Sequence, residues 1–128
     1  MIKPIATLRV TPMGKPRMTR SDAWKKRPCV NRYYQFKDSL KAEWGDRELT
    51  DSFWIVCYIP MPKSWSKKKR EQMRGQPHRQ KPDADNITKA FKDSLYTEDS
   101  VVWDERCTKF WADNGAIEVY ELEPVRVA

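Results

Sequence analysis

The stretch KPDADNITKAFKDSL, residues 81–95, decides how the rest of the chain is read. Pro82 biases its neighbours toward extended backbone, and Asp85 is a suitable N-cap for a helix over about Asn86 to Leu95. Ile87, Phe91 and Leu95, joined by Ala90, form one apolar face of that helix. Asp85, Lys89 and Asp93 follow one another at four-residue intervals along another face. Two carboxylates, Asp83 and Asp85, therefore stand at the entrance to an amphipathic helix, just after residues 67–81, where seven of fifteen side chains are Lys or Arg. This is either a charge-balanced surface or a metal site placed to meet an anionic substrate.

Upstream, Ile5 to Thr11 reads as a strand that stops at Pro12, followed by a Gly/Pro-punctuated basic loop at about 13–28. Tyr33, Phe36, Leu40 and Trp44 recur at helical spacing, which predicts a helix from Asn31 to about Trp44, stopped by Gly45. Phe53 to Ile59 (FWIVCYI) is apolar on both sides of any alternation, as in a central strand covered on both faces. The second basic loop, at about 63–82, contains SWSKKKREQMRG, which lacks an apolar stripe and reads equally as a short helix or a loop. Downstream, Glu105 to Ala112 and Ala116 to Leu122 flank Asp113, Asn114 and Gly115, a hairpin signal. The fold class expected is α+β, a single compact domain over residues 1–128 with a mixed or antiparallel sheet flanked by helices.

The chain has 128 residues and a formal charge of +7. Residues 1–92 hold 22 Lys/Arg against 9 Asp/Glu, whereas 93–128 hold 3 against 9. The positive part suits a polyanion, most simply nucleic acid, although solubility alone also accounts for surface charge. No apolar run approaches a membrane span and the N-terminus lacks a signal peptide's apolar stretch, so a cytoplasmic protein without a membrane partner is expected. Cys29, Cys57 and Cys107 have no CxxC spacing and read as reduced thiols.

Glu98 and Asp99 change the weight of the two aspartates. A helix of about ten residues and a short turn lead from Asp85 to Asp99, so the later acidic groups are expected to pack beside the first. Converging carboxylates repel one another and need compensation, which Mg²⁺ provides while also binding substrate phosphate oxygens. The basic residues Lys15, Arg17, Arg20, Lys67, Lys68, Lys69, Arg70, Arg74, Arg79 and Lys81 then bring a phosphate backbone to a site whose own charge repels it. Lys89 is either an ion-pair partner of Asp85 or Asp93, or a cation facing the phosphate. Asn86 either bonds a water on the metal or favours the first helical turn. His78 is a solvated loop residue, a phosphate contact or a proton shuttle. Trp24, Tyr33, Tyr34 and Trp65 are candidates to stack on unpaired bases, with Tyr33 also on the core stripe.

Asp83, Asp85, Asn86, Ile87, Lys89, Asp93, Ser94 and Leu95, followed by Glu98, Asp99 and Val102, match in register the pattern D-x-D-N-[LI]-x-K-x-x-x-D-[AS]-L and then [DE]-D-x-x-V. In these residues the chain resembles the RusA family of Holliday-junction resolvases, and PKSWSKKKR and PHRQKP resemble its phage- and prophage-carried members. The resemblance implies a Mg²⁺-dependent homodimeric endonuclease, with Mn²⁺ a substitute ion and no small-molecule cofactor, acting in DNA recombination and repair in a bacterial cell. It implies binding to four-way junction DNA and paired symmetric nicks that leave 5′-phosphate and 3′-hydroxyl ends. By position, Asp83, Asp85 and Asp99 become the catalytic metal ligands and Lys89 the essential lysine, with Asn86, Glu98, Asp104 and Lys109 as possible supports. The alternatives are an inactive junction- or nucleic-acid-binding protein, or a Mg²⁺-dependent nuclease for flaps or forks. The apolar strand 53–59 and the aromatic helix residues are the candidate dimer surfaces.

Overall fold

The strand 53–59 is the organising element: it lies inside the sheet, hydrogen-bonded on both edges. The computed structural model describes residues 2–17, 19 and 27–123. In chain order these form β1 (Ala6–Leu8), α1 (Pro28–Trp44), β2 (Ser52–Pro60), α2 (Lys67–Met73), α3 (Ala84–Leu95), a 3-10 turn (Asp99–Val101), β3 (Asp104–Ala112) and β4 (Ala116–Tyr120). The sheet order is β1-β4-β2-β3, with β2 parallel to β3 and antiparallel to β4, and β4 antiparallel to β1. This is an α+β domain with a mixed sheet.

The hairpin expected from Asp113-Asn114-Gly115 is not formed. β3 pairs with one edge of β2 and β4 with the other, so Ile55 lies opposite both Cys107 and Val119. The connection therefore steps across the end of β2, over two strand spacings of about 4.8 Å each. Gly115 answers a different requirement from a hairpin turn: a Cβ there would stand 2.6 Å from Thr11 Oγ1 and 2.7 Å from Thr11 Cα. Asp113 is likewise engaged elsewhere, receiving two hydrogen bonds from Arg74 at 2.9 and 3.0 Å.

Helix α1 begins at Pro28, three residues before the apolar periodicity predicts, because proline suits a first-turn position whose N–H needs no partner. Its stripe of Val30, Tyr33, Phe36, Leu40 and Trp44 is buried. Ile87, Ala90 and Phe91 of α3 join it over one face of the sheet, against Phe53, Ile55, Cys57 and Ile59 of β2. Phe53 and Phe91 meet at a ring-centroid distance of 4.9 Å. Full burial of an aromatic or aliphatic side chain of this size is worth about 1.5–3 kcal/mol, so this layer fixes where α3 sits.

The cover expected on the second face of β2 is present, but it is thinner than on the first: Val56 is buried there, between Trp54 and Tyr58, which are half-buried and packed against Tyr120 and Phe110 at 5.2 and 6.3 Å between ring centroids. Aromatic neighbours on adjacent strands, with Arg106 lying 4.5 Å over Trp54, provide the cover there instead of a helix. The proposed dimer surfaces change accordingly, since Phe53, Ile55, Tyr33 and Trp44 are consumed by the chain's own core. Tyr34 stays exposed. Among the described residues no helix is long and apolar enough to cross a membrane.

Candidate active site at the start of α3

Asp83, not Asp85, is the N-cap of α3, and its side chain makes no capping hydrogen bond. Helical backbone already begins at Ala84, which moves Asp85 into the first turn, where a carboxylate faces the positive end of the helix. Both aspartates are exposed. They line an open cleft of about 600 Å³ with Gly14, Lys15, Pro16, Lys81, Pro82 and Asn86. The sequence-distant basic loop 13–17 thus forms the opposite wall.

Asn86 holds that wall in place. Its side-chain amide donates to the Lys15 carbonyl at 3.2 Å, and the Lys15 N–H approaches the Asn86 carbonyl at 3.5 Å. Gly14 leaves room for that bond, because a Cβ there would displace the Asn86 amide nitrogen and stand 3.0 Å from Pro82 Cβ. Lys109, reaching from β3, supports the other approach to the site: its ammonium donates to the carbonyls of Gln80 and Pro82, both at 2.8 Å.

Lys89 lies one turn beyond Asp85 with its ammonium 4.0 Å from the Asp85 carboxylate, and both side chains are open to solvent. An exposed pair of this kind contributes little to stability, so Lys89 is free to respond to a bound anion. Asp93, expected on the same line, instead turns toward α1. It accepts from the Tyr33 hydroxyl at 2.6 Å and faces Lys37 at 3.3 Å and Lys15 at 3.9 Å. Burial opposes its ionisation, but the Tyr33 hydrogen bond and the two lysines prevail and hold its carboxyl below the usual range. Asp93 is the residue whose role spacing alone missed: it ties α3, α1 and the basic loop together.

Asp99 is not beside Asp83 and Asp85 in this chain. It opens the 3-10 turn beyond the C-terminal end of α3, whose twelve residues span about 18 Å. Glu98 precedes it and accepts from the Ser100 hydroxyl at 3.3 Å, and Asp104 starts β3 opposite Ser52, at the same end. Among the described residues no three His, Cys, Asp or Glu side chains are gathered as a metal site. The expected convergence of the three carboxylates within one chain is therefore not seen.

The other basic candidates divide by geometry. Lys67, Lys68 and Lys69 are exposed on α2, which is capped by the Ser66 hydroxyl at 3.2 Å and buries no side chain. Lys69 lies 4.3 Å over the Trp65 ring, which packs on Trp111, so Trp65 is half-buried. Arg70 donates to the Pro62 carbonyl and Arg74 is paired with Asp113. Arg17, Arg79 and Lys81 are exposed, while Arg20 and Trp24 lie outside the described residues. His78 is not the solvated loop residue expected: it is buried against Trp111, 4.3 Å between ring centroids. Burial, followed by the nearby Lys109, lowers its pKa.

Beneath α3 the thiols of Cys57 and Cys107 lie 3.8 Å apart. Their mutual hydrogen bond, reinforced by burial, pushes Cys57 up. The same contact, against burial and aided by Thr88 and Lys109, draws Cys107 below the usual thiol value.

The donor set of the cleft is oxygen and amide, with no imidazole or thiol among its lining residues, which fits a hard cation. Asp83 and Asp85 supply two carboxylates, the number Mg²⁺ commonly takes from protein when phosphate and water complete its shell. Residues 8–120 match the family described as Endodeoxyribonuclease RusA, and the chain belongs to that family. It is also similar to the uncharacterized protein YqaN of Bacillus subtilis (strain 168), 37% identical over a 73-residue alignment that covers 51% of this chain and 51% of that protein. The chain thus matches about half the length of this curated relative. No solved structure matches it.

Proposed function

We propose that the protein is a Mg²⁺-dependent, structure-selective endonuclease that resolves four-way DNA junctions by paired phosphodiester hydrolysis, acting as a homodimer. The observation that carries this reading is the cleft in which Asp83 and Asp85 face the basic loop of Lys15, in a chain of the RusA family. When bound, the divalent ion activates water and neutralises charge developing on the phosphate and the departing 3′ oxygen.

The chain's own residues do the rest. Asp83 and Asp85 hold the ion, and Lys89, one turn along the same helix, orients Asp85 and stabilises charge on the phosphate. Asn86 and Gly14 keep Lys15 against the cleft, and Lys109 holds the chain that delivers Asp83. Lys67, Lys68, Lys69 and Lys81 draw the DNA backbone in. Two cuts on symmetric strands require two equivalent sites, which a two-fold dimer provides.

The test is a time course on an end-labelled synthetic four-way junction with Mg²⁺, Mn²⁺ or EDTA, mapping nicks on all four strands. Symmetric nicks with 5′-phosphates, made only with the metal, are expected. Tight binding without nicks would replace this reading with a junction-binding protein, and faster cutting of flaps or forks with a nuclease of different substrate choice.

A further inference from the structure

We propose that the groove between α1 and the chain leaving β1 receives one nucleotide of the junction DNA, turned out of the base stack, with its phosphates at Arg9 and Arg32. This rests on the nuclease reading above and adds a second DNA subsite to the cleft at α3. The groove has a volume of about 540 Å³ and is walled by residues 9–13 on one side and by α1 residues from Arg32 to Ser39 on the other. Cavities of about 300–1,000 Å³ suit organic molecules of nucleotide size. Pro12 and Met13 line this groove, and Gly14, Lys15 and Pro16 line the cleft of Asp83 and Asp85. One continuous stretch of chain therefore walls both, so a strand held at the cleft has the groove as its neighbour.

The chemistry of the lining selects the occupant. Val10 and Phe36 are buried and Met13 is half-buried, which gives the groove an apolar floor, while Arg9 and Arg32 are exposed on facing walls. No Asp or Glu lines it. Among the described residues neither guanidinium has a hydrogen-bond or ion-pair partner, whereas Arg47, Arg70 and Arg74 are all engaged. Glu43, which accepts the Arg9 backbone N–H at 2.7 Å, pairs with neither guanidinium. A bare phosphate would meet the arginines and leave the floor wet. An apolar side chain would cover the floor and leave two cations without counter-charge. A nucleotide satisfies both, because its base has a flat apolar face and a phosphate stands on either side of its sugar. The exposed Thr11, Gln35 and Ser39 supply hydrogen-bonding groups for the base edge. A base inside a stacked duplex does not expose its face, so the nucleotide must be turned out, and this costs least where stacking is already interrupted, as at a branch point.

Base fluorescence tests this. Four-way junctions carrying 2-aminopurine at single positions around the branch are bound by the wild-type chain in EDTA, so that no strand is cut, and are nicked in Mg²⁺ in parallel. Unstacking brightens this base, and a several-fold rise at one position is expected. Ser39→Glu, an exposed change that puts negative charge in the groove, should abolish the rise and weaken junction binding about ten-fold, whereas Ser39→Lys should keep both. Arg9→Ala with Arg32→Ala should also abolish the rise and lower the slope of log affinity against log salt by roughly 0.7 to 0.9 for each phosphate released. The Arg9 change leaves the bond to Glu43 in place, since the backbone makes it. A rise that survives both Ser39→Glu and the double arginine variant puts the turned-out base elsewhere and overturns the proposal. Wild-type nicking with no rise at any position also overturns it, leaves the nuclease reading intact and returns the groove to a partner other than DNA. A wild type that neither binds nor nicks the junction overturns the nuclease reading and, with it, this subsite.

Discussion

Asn86 donates its side-chain amide to the carbonyl of Lys15, 71 residues away in sequence, and so joins the helix bearing Asp85 to the basic loop that faces it. A hydrogen bond of this kind contributes about 1 kcal/mol net. Asn86→Ala is expected to weaken junction binding roughly five-fold with little change in melting temperature, because the loop is released and the core is not touched. Asn86→Asp should be worse than Ala, since it removes the donor and adds negative charge beside Asp85. Equilibrium binding at fixed salt checks both, and equal affinity for wild type and Asn86→Ala would show that the loop's position does not matter to DNA.

Gly14 sets the spacing of the same two walls. Gly14→Val is expected to push the loop outward, because the alternative is displacement of Asn86 and Pro82 by an atom that has no room. Overpacking of this kind costs about 1–3 kcal/mol where it cannot be relieved. Turnover should therefore fall more than stability does, measured as single-turnover nicking beside a thermal melt.

Asp93 makes part of the stability pH-dependent. Its carboxyl is held below its ordinary value of 3.8 in the folded state, so the unfolded chain takes up the proton first as pH falls. The contribution is fully present above the unfolded pKa and is lost as pH drops below about 3.8 through the lower folded value. Asp93→Asn should be less stable than wild type at pH 7, and the difference should shrink on acidification below pH 4. Tyr33→Phe should retain the ion pairs and cost about 1–2 kcal/mol by removing one charge-assisted hydrogen bond. Chemical denaturation across this range distinguishes the two; a gap that is constant with pH would place the effect in packing.

Both packed helices and the inner strand were legible, because each is written as an apolar stripe or run with its own period. The order of the strands was not. Asp113-Asn114-Gly115 carries the composition of a hairpin turn, yet Asp113 serves Arg74 and Gly115 admits the backbone of Thr11. Those requirements come from residues far off in sequence, and only the double-sided apolarity of β2 hinted that it needed a neighbour on each edge. His78 was misread for the same reason, since its cover is Trp111 on β3. Of the candidate site, the aspartate pair and its basic setting were readable from local pattern. The distance from Asp85 to Asp99 depended on the direction of one helix, which a short connecting turn does not reveal.

The lysines of α2 are separable from the residues that hold it. Lys67 and Lys68 are exposed, whereas Arg70 bonds the Pro62 carbonyl and Lys69 lies over Trp65. Lys67→Ala and Lys68→Ala together should lower the slope of log affinity against log salt by up to about two, roughly 0.9 for each duplex phosphate no longer neutralised. Nicking at saturating protein should be unchanged. An unaltered slope would put this helix away from the DNA.

Asp85 and Lys89 should separate binding from chemistry. Asp85→Asn keeps the size of the side chain but removes the charge a cation needs, so nicking should fall by at least about a thousand-fold while junction affinity holds or rises. Lys89→Ala should also slow the single-turnover step, by about a hundred-fold if its ammonium stabilises charge on the phosphate. Lys89→Arg discriminates the two roles open to that ammonium. If Lys89 only balances Asp85, arginine restores most of the rate, because the pair is loose at 4.0 Å and exposed. If it meets the phosphate at a fixed point, the larger planar guanidinium should restore affinity but not rate. Weaker junction binding by Lys89→Ala with an unchanged single-turnover rate would remove this lysine from the chemistry and return it to the DNA-binding surface.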